Sequence, residues 1–541
     1  MFTTLLIANR GEIACRIMRT AQQLGIKTIA VYSDADRNAM HVQAADIAVH
    51  IGDSQPQHSY LDYAKIIDVA KTYGAQAIHP GYGFLSENAA FANACQSAGI
   101  VFVGPPVAAI EAMGSKSHAK TLMSEAGVPL LPGFHGDNAT AEQLAHAAQK
   151  IGYPVLLTAS AGGGGKGMRI VHDAAQFDQE LAAAQREAQS SFGDDKMLVE
   201  KYLTEPRHIE LQVFADTHGN TVHLFDRDCS IQRRHQKIVE DAPAPNIDGG
   251  VRQAMADAAI KAAAAIDYVG AGTIEFLLDG DGQFYFMEMN TRLQVEHPVT
   301  EMITGVDLVE WQLRVAAGEP LPLMQDALHV TGHAVEARIY AEDTDNGFLP
   351  QTGPIDLFVT PVQNATVRID TGVRSGDAVS RFYDPMIAKL ITHAKTRELA
   401  NSRMLGALQQ THIDGTTTNL GFLQRVVATP RFSDGEVTTR FIELEQAALA
   451  PATPQHAAVL AALALWFELD AQTGSADGWR MNLPNRVPFD IAIGDNRTHA
   501  VVTLDPHDRQ PRSVDLDGVR HQVFASKHAD ELSATVDAAN Y

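Results

Sequence analysis

The strongest chemical signal in this sequence is a row of alternating polar side chains between residues 287 and 296. Successive side chains of a β-strand point to opposite faces, so a strand here would carry five polar groups on one face. These are Glu288, Asn290, Arg292, Gln294 and Glu296. Carboxylate and amide oxygens are the hard ligands that Mg²⁺ takes beside substrate phosphates. A solvated surface strand would show the same alternation, so the row alone leaves both interpretations open.

A further carboxylate favours the magnesium interpretation. Glu275 lies in the preceding candidate strand, near residues 272–278, and the sequence Asp279-Gly280-Asp281-Gly282 predicts a hairpin turn. Such a hairpin brings Glu275 across from the polar row, a pairing that purely solvating charges do not require. We therefore predict that Glu275 completes a set of oxygen ligands with the polar row.

A glycine run follows the apolar segment 153–159. Residues 161–165 read Ala-Gly-Gly-Gly-Gly, and Lys166 comes next. Flexible linkers contain similar runs, but apolar segments on both sides favour a hairpin lid over phosphates, because glycine lets backbone N–H groups approach anionic oxygens closely. The segment is not a P-loop, since it lacks both the Gly-Lys-Ser/Thr ending and the following helix.

Two weaker signals lie in the same part of the chain. A basic cluster at 233–237 suits bicarbonate and the charge that develops on a transferred phosphoryl group, although such clusters are usually plain surface. Cys229 precedes the cluster with no obvious base beside it, and we interpret it as a packed thiol. Residues 200–203 follow an apolar pair and offer backbone groups to an adenine ring.

The elements that must position these residues alternate between strand and helix over the first 114 residues or so. This alternation predicts a parallel sheet with helices on both faces, whose ligand loops, here 9–11 and 79–83, lie at the carboxyl ends of the strands. Neither loop has the dinucleotide glycine pattern. Mixed strands and helices continue to about residue 445, and a linker near 447–455 precedes short alternating runs that predict a small β-rich module.

Composition is that of an ordinary globular protein. The 541 residues include 42 Lys and Arg against 65 Asp and Glu, a formal charge of −23. This balance argues against nucleic acid or an anionic membrane as the main partner. The longest apolar run, 457–467, is much shorter than the roughly 20 residues of a membrane span. Three cysteines without zinc spacing and no recognisable leader favour a reducing, cytoplasmic location.

Together these segments resemble the biotin carboxylases, a branch of the ATP-grasp proteins. The matching strings cover residues 1–445 in the family's order and are 7–14, 79–88, 200–202, 233–237, 288–297 and 383–386. Within the family, strings 113–117, 128–136 and 477–482 are most similar to the α subunit of 3-methylcrotonyl-CoA carboxylase.

The resemblance implies an α/β and α+β multidomain fold. The expected parts are a Rossmann-like domain at 1–114, an ATP-grasp domain at 115–332 with a lid at about 132–203, a mixed C-terminal domain at 333–445, and a linker with a partial partner-docking module at 446–541.

The resemblance also implies a ligase that carboxylates biotin with bicarbonate and ATP, through carboxyphosphate, within an acyl-CoA carboxylase. Implied ATP contacts are Lys116, Gly164, Gly165, Glu200, Lys201, Leu203, His208 and His235. Implied ligands of Mg²⁺ (or Mn²⁺) are Glu275, Glu288 and Asn290. Implied bicarbonate contacts are Lys237, Arg292, Gln294 and the backbone of Val295. Glu296 would be the general base, and Arg338 would stabilise deprotonated biotin, although the residues alone favour an Arg338–Glu336 salt bridge.

Two departures from the family pattern matter. The strand before the glycine run normally carries a lysine that reaches the nucleotide, and Thr158 takes its place here. One lost charge-assisted contact costs roughly 1.5–3 kcal/mol, or about ten- to a hundredfold in affinity, so we expect weak ATP binding unless Lys166 or another cation substitutes. There is also no Met-Lys-Met acceptor, and Lys527 is the only lysine after Lys395. We expect no covalent biotin on this chain.

The implied partners are a biotin carboxyl carrier domain or protein and a carboxyltransferase β subunit, in a homodimer or a larger hetero-oligomer. Two other functions stay open. One is a different ATP-grasp ligase that activates a carboxylate for attack by an amine, against which the string 233–237 and Arg338 count. The other is a catalytically weakened scaffold subunit, against which the intact acidic row counts.

Overall fold

The N-terminal part of the chain is a parallel sheet in the order β3-β2-β1-β4-β5. Its strands are β1 (Thr4–Ile7), β2 (Lys27–Ser33), β3 (Ile47–Gly52), β4 (Ala77–His79) and β5 (Val101–Phe102). Its helices are α1 (Gly11–Gln23), α2 (Met40–Ala44), α3 (Tyr63–Thr72), α4 (Ala89–Ser97) and α5 (Val107–Gly114). Alternate residues of β1 enter two different cores, so both faces of the sheet are covered, as predicted.

The structure is a computed structural model. It describes residues 1–136, 139–160, 167–234, 236–450, 457–473, 485–493, 496–505, 508–528, 531–537 and 539–540.

The two predicted ligand loops lie together at the carboxyl edge of this sheet. The Asn9 side-chain amide donates to the carbonyl oxygens of Pro80 at 2.7 Å and Tyr82 at 2.8 Å. Helix α1 begins two residues later at Gly11, whose backbone has the left-handed φ of 63°. The side chain of Asn9 therefore ties the loop after β1 to the loop after β4.

A small antiparallel sheet in the order β6-β9-β7-β8 forms the lid. Its elements are α6 (Lys116–Glu125), β6 (Gly133–Phe134), α7 (Ala141–Ile151), β7 (Val155–Ala159), β8 (Met168–Val171), α8 (Phe177–Phe192) and β9 (Met197–Lys201). Val155, Leu157 and Ala159 pack on α7 and α8 in one core, so Leu156 and Thr158 point to the other face of the lid sheet. The predicted glycine turn, at 161–166, falls outside the described residues.

The central element is an eight-stranded sheet in the order β14-β13-β10-β11-β12-β15-β22-β20. Its strands are β10 (Arg207–Ala215), β11 (Thr221–Arg233), β12 (Gln236–Ala242), β13 (Gly270–Leu278), β14 (Phe284–Asn290), β15 (His333–Tyr340), β20 (Val367–Thr371) and β22 (Met386–Ala394). The helices α9 (Gly249–Ala264), α10 (His297–Thr304) and α11 (Leu308–Ala316) belong to the same region. The sheet continues without a break past residue 333, the predicted start of the next domain.

The remaining elements up to residue 450 surround β15 and β22. They are β16 (Glu342–Asp343), β17 (Leu349–Pro350), β18 (Gly353–Pro354), β19 (Leu357–Val359), β21 (Ala378–Val379), α12 (Arg397–Gln409), β23 (His412–Asp414), α13 (Leu420–Ala428), α14 (Pro430–Ser433), α15 (Phe441–Leu444) and α16 (Gln446–Leu449). Helices α12 and α13 pack on β15 and β22 through one apolar core.

The C-terminal module is an antiparallel sheet with one helix packed on it. Its elements are α17 (Ala457–Thr473), β24 (Asn485–Ile493), β25 (Asn496–Leu504), β26 (Pro511–Leu516), β27 (Val519–His528), β28 (Glu531–Val536) and β29 (Ala539–Asn540). The module contacts β23, where the Ser526 hydroxyl donates to Asp414 at 2.6 Å and the Phe524 ring stacks on His412. In the part of the chain that the structure describes, no helix is both long and apolar enough to cross a bilayer.

Candidate active site

Three glutamates lie side by side on neighbouring strands of the eight-stranded sheet. Glu210 on β10 is opposite Glu275 on β13, and Glu275 is opposite Glu288 on β14. The Asn290 amide donates to Glu275 at 2.8 Å. The predicted hairpin is therefore present, and the three predicted metal ligands lie together with a fourth oxygen donor, Glu210. This set of carboxylate and amide oxygens fits a hard divalent cation such as Mg²⁺.

The predicted single strand through residue 296 is wrong in its second half. Strand β14 ends at Asn290, and residues 291–296 form a loop that leads into α10. The backbone N–H of Thr291 donates to the Glu87 carboxylate at 3.0 Å instead of continuing the sheet. The polar side chains of the row still come together, but the loop after residue 290, and not strand alternation, positions the last three.

Lys237 is at the centre of the site. Its Nζ lies 2.6 Å from Glu210, 2.9 Å from Glu275 and 2.6 Å from Glu296. His208 Nε2 lies 3.0 Å from the other oxygen of Glu275. Burial raises the pKa of Glu275, but Lys237 and His208 more than offset it, so the pKa lies well below its ordinary value. A single ammonium thus links Glu275, a predicted metal ligand, and the neighbouring Glu210 to Glu296.

Arg292 connects the same loop to the N-terminal domain. Its Nε donates to Glu87 at 2.9 Å, and its terminal nitrogens donate to Gln294 at 2.8 Å and Asn290 at 3.2 Å. The Val295 carbonyl accepts from the buried ammonium of Lys389 at 2.7 Å. The predicted bicarbonate-binding groups are therefore brought together around Lys237, and each is held by a hydrogen bond or an ion pair.

Glu296 and Arg338 form a buried ion pair beside this cluster. Arg338 Nη2 lies 2.7 Å from Glu296 Oε2, and Arg338 Nε donates to Glu240 at 2.5 Å. Burial raises the pKa of Glu296, but Lys237 and Arg338 lower it more strongly, to well below its ordinary value. The expected alternative, an Arg338–Glu336 salt bridge, is wrong, because the guanidinium points to Glu240 and Glu296.

The predicted ATP contacts are spread between the lid and the sheet. Lys116 Nζ lies 3.8 Å from Glu288, and Lys201 Nζ donates to Gly152 at 2.8 Å.

Glu200 binds Lys120 and lies 3.0 Å from His135 Nε2. Burial raises the pKa of Glu200, but Lys120 and His135 lower it to about 2. Leu203 lies in the half-buried connection between β9 and β10, whereas the predicted contacts Gly164, Gly165 and His235 fall outside the described residues.

Thr158 is buried on the face of β7 that points away from the lid core. It is opposite Leu198 on β9, and its hydroxyl has no hydrogen-bond partner among the described residues. Leu156, which shares its face, is opposite Glu200. Thr158 is thus a diagonal neighbour of the Glu200–Lys120 pair, and it offers only a hydroxyl where the family pattern has a cation.

A cavity of about 510 Å³ adjoins the Glu296–Arg338 pair. Arg338, Arg292 and Val295 line one side, and Tyr82 and Tyr383 line the other. The cavity is large enough for a small bicyclic ligand, and its lining combines apolar side chains with the guanidinium groups of Arg10, Arg292 and Arg338.

Sequence reasoning missed several residues of this site. Glu210 follows His208 by two residues, which places both on one face of β10, and this spacing could have indicated it. Glu87 and Tyr82 lie in the matching string 79–88, but no role was predicted for either residue. Lys389 and Glu240 gave no local signal, because their contacts depend on how distant strands pair.

A lid sheet beside a second sheet that presents metal-ligating carboxylates is the arrangement of an ATP-grasp ligase. Family models agree: residues 1–110 match the biotin carboxylase N-terminal domain, residues 115–324 the ATP-binding domain of the carbamoyl-phosphate synthase L chain, and residues 336–444 the biotin carboxylase C-terminal domain.

Curated relatives give the same result. The chain is 53% identical over 442 residues to a protein named biotin carboxylase from Halalkalibacterium halodurans, covering 82% of this chain and 97% of that protein. It is 55% identical over 479 residues to the mitochondrial methylcrotonoyl-CoA carboxylase subunit alpha of Dictyostelium discoideum, covering 88% of this chain and 68% of that protein. The rat protein of the same name is 57% identical over 449 residues, but the match spans 63% of its length.

Solved structures agree in fold. The biotin carboxylase domain of Hydrogenobacter thermophilus 2-oxoglutarate carboxylase, solved with MgADP, ADP and bicarbonate, superposes with a TM-score of 0.81 at 45% identity, over 84% of this chain and 100% of that chain. Biotin carboxylase from Campylobacter jejuni, titled a β-γ-ATP complex, gives 0.80 at 44% identity, over 82% and 99%. The chain belongs to the biotin carboxylase family, and it is a ligase, as predicted from the motifs.

Proposed function

We propose that this chain carboxylates biotin with bicarbonate and Mg-ATP, as the biotin carboxylase component of an acyl-CoA carboxylase. The observation that carries the proposal is the position of Lys237. Its ammonium contacts Glu296 together with Glu275, a predicted metal ligand, and the neighbouring Glu210, and Glu296 in turn binds Arg338 in the cavity lining. Groups for a metal nucleotide, a one-carbon anion and a ureido ring thus lie in one continuous cluster.

In this proposal the nucleotide binds between the lid and the sheet. Lys116, Glu200, Lys201, Leu203, His208, His235 and the backbone of Gly164 and Gly165 contact ATP. Glu275, Glu288 and Asn290, with Glu210 beside them, hold Mg²⁺. The ion, when bound, neutralises charge on the β- and γ-phosphate oxygens and so favours in-line phosphoryl transfer.

Lys237, Arg292, Gln294 and the Val295 backbone position bicarbonate in this proposal, and Glu296 takes its proton. Bicarbonate then attacks the γ-phosphorus, the bond to ADP breaks, and carboxyphosphate forms. Glu296 is a weak base while Lys237 and Arg338 both contact it. Substrates that draw these cations away raise its pKa, so Glu296 becomes a stronger base when bicarbonate binds and stronger again when biotin binds.

Arg338 acts at the next step. Carboxyphosphate releases CO₂, the ureido nitrogen of biotin loses its proton to the departing phosphate, and the nitrogen bonds to CO₂. The guanidinium stabilises the negative charge that develops on the ureido oxygen. Its position between the cavity and Glu296 supports this role.

The finer assignments rest on the relatives. The string 477–482 and the methylcrotonoyl-CoA carboxylase names favour 3-methylcrotonyl-CoA, a leucine-degradation intermediate, as the acyl-CoA finally carboxylated. The proposed partners are a biotin carboxyl carrier domain or protein and a carboxyltransferase β subunit that contacts the C-terminal module, in a homodimer or a larger hetero-oligomer. The domain limits and the cytoplasmic location given above stay predictions, and several relatives carry the word mitochondrial in their names.

Steady-state ATP hydrolysis tests the proposal. Phosphate release from Mg-ATP should require bicarbonate and should rise when free biotin is added. Hydrolysis that needs neither compound, or that needs an amine instead, would refute biotin carboxylation and favour another ATP-grasp ligase.

A further inference from the structure

Arg338 is held from behind by a carboxylate that has no place in the proposed chemistry. Its Nε donates to Glu240 Oε1 at 2.5 Å, while Nη2 contacts Glu296 on the substrate side at 2.7 Å. Glu240 is fully buried, and Arg338 is 6% exposed. The guanidinium therefore lies between two carboxylates, one on the substrate side and one behind it.

A second buried carboxyl lies directly behind Glu240. Glu336 on β15 is opposite Glu240 on β12, and it is also fully buried. Both oxygens of Glu336 and the second oxygen of Glu240 have no hydrogen-bond partner among the described residues. Side chains directly opposite each other in an antiparallel pair have Cβ atoms only about 5 Å apart. Two carboxylates, each carrying a full charge, would repel strongly here.

Of the three cations near the pair, Arg338 contacts Glu240, and the two lysines already have other partners. The charged or titratable groups that act on the pair are Cys229 on β11, Lys237 on β12, Glu296 before α10, Arg338 on β15 and Lys389 on β22. His297 is the first residue of α10, which contacts both β12 and β15. Lys237 contacts Glu210, Glu275 and Glu296, and Lys389 contacts Val295 and Glu12. Burial lowers the pKa of His297 well below its ordinary value, so it is neutral.

Burial also raises the pKa of Glu336 well above its ordinary value, and it raises that of Glu240 to about 7 although Arg338 opposes the shift. A proton on one carboxyl would satisfy two of the three unpartnered oxygens at once, as donor and acceptor of one O–H···O bond. An ionised Glu336 would instead leave an unpaired charge in the interior, which is far more costly.

We propose that Glu240 and Glu336 share a single proton, that Glu240 is a positioning residue for Arg338, and that this proton lets the guanidinium reach the biotin site. The role of Arg338 toward biotin rests on the proposed function. The proton exchanges with solvent and is not consumed in turnover. When it is lost, a second negative charge behind Arg338 holds the guanidinium back, so the biotin step slows while ATP binding does not change.

Difference infrared spectroscopy of the full chain tests the shared proton directly. Raising the pH from about 6 to about 9 should remove the C=O band of a buried protonated carboxylic acid in the wild-type protein. Glu336→Gln should weaken this band by the contribution of the pair, whereas other buried carboxyls with a raised pKa, such as Asp226 and Asp384, keep theirs. The matched control Glu398→Gln changes an exposed glutamate of α12 and should keep it. A wild-type spectrum with no such band, or a band of undiminished intensity in Glu336→Gln, overturns the shared proton.

Kinetics test the positioning role. In wild-type protein kcat/KM for free biotin should fall tenfold per pH unit above the pKa of the pair, and Glu336→Gln should shift this limb to higher pH by at least about one unit. Glu240→Gln should lower kcat/KM for biotin on the order of a hundredfold, with KM for ATP within about threefold of wild type. Equal losses for biotin and ATP at every pH would mean a merely structural role and would overturn the proposal.

The two experiments separate this inference from the proposed function. If biotin does not stimulate ATP hydrolysis in the wild-type protein, biotin carboxylation fails while the infrared band still reports on the proton. If biotin is carboxylated and the band is absent, only the shared proton fails.

Discussion

The eight-stranded sheet and the lid sheet carry their charges in different ways. On the large sheet, Lys237 contacts three carboxylates and Arg338 contacts two, all of them buried. On the lid sheet, Glu200 binds Lys120, but the neighbouring Thr158 presents only a hydroxyl. Charges that are buried and paired in this way are oriented before substrate binds, and preorganised charge of this kind is effective in catalysis. The comparison indicates that the large sheet supplies the electrostatics, and that the lid contributes mainly enclosure.

Replacing Lys237 should have the largest effect on the charges of the large sheet. Lys237→Met leaves Glu210, Glu275 and Glu296 buried without their shared cation. We expect turnover below about a thousandth of wild type and a free energy of unfolding about 3–5 kcal/mol lower. Bicarbonate-dependent phosphate release and thermal unfolding measure the two effects. Lys150→Met, an exposed lysine of α7, is the control, and turnover within tenfold of wild type in Lys237→Met would contradict the central role of the ammonium.

Replacing Glu296 tests the chemistry of the large sheet without removing a cation. Glu296→Gln keeps the shape of the side chain but cannot accept a proton, so bicarbonate-dependent turnover should fall about 10²–10⁴-fold. ATP affinity, measured by calorimetry, should stay close to wild type, because Glu296 contacts Lys237 and Arg338 and none of the predicted nucleotide contacts. Turnover that survives in this variant would show that another group is the base.

Thr158→Lys adds a cation to the lid sheet, so that its charges resemble those of the large sheet more closely. A lysine here should add one charge-assisted contact with the nucleotide and tighten ATP binding about ten- to a hundredfold. Calorimetric titration with ATP measures the change, and the exposed substitution Thr72→Lys controls for net charge. Unchanged affinity would mean that position 158 does not limit binding and that another cation, such as Lys120 or Lys166, already serves.

The dependence of stability on pH should differ between two neighbouring buried glutamates, Glu296 before α10 and Glu336 on β15. The pKa of Glu296 is lowered in the folded state, so its contribution is present above about pH 4.5 and is lost as the pH falls. The pKa of Glu336 is raised, so its contribution is present below about pH 4.5 and is lost as the pH rises through the folded-state value.

In the wild-type protein we therefore expect the free energy of unfolding to decline by up to about 1.4 kcal/mol per pH unit as the pH rises above about 4.5. This decline should be absent from Glu336→Gln. Thermal unfolding midpoints of wild type and variant at several pH values measure this difference. Parallel curves for the two proteins would mean that Glu336 ionises normally.

Much of this arrangement could be predicted from the sequence where the signal is local. The alternation of strands and helices indicated the N-terminal sheet, and the turn at 279–282 indicated the hairpin that places Glu275 opposite Glu288. The strand through residue 296 was predicted too long, because polar alternation does not reveal that Glu87, about two hundred residues away, captures the backbone of Thr291. Glu240, Glu336 and Lys389 were out of reach for the same reason, since only strand pairing brings them beside Arg338 and Val295.

The contacts of Lys237 also fix the shape of the sheet. Strands β12 and β13 are separated by β11 and β10, so a flat sheet would keep them about 14 Å apart, with their side chains standing parallel. Yet the tip of Lys237 on β12 is 2.9 Å from Glu275 on β13. The sheet must therefore curve strongly, so that side chains of β12 and β13 converge on the Lys237 ammonium. A substitution that reduces this curvature would separate the reacting groups without changing any of them.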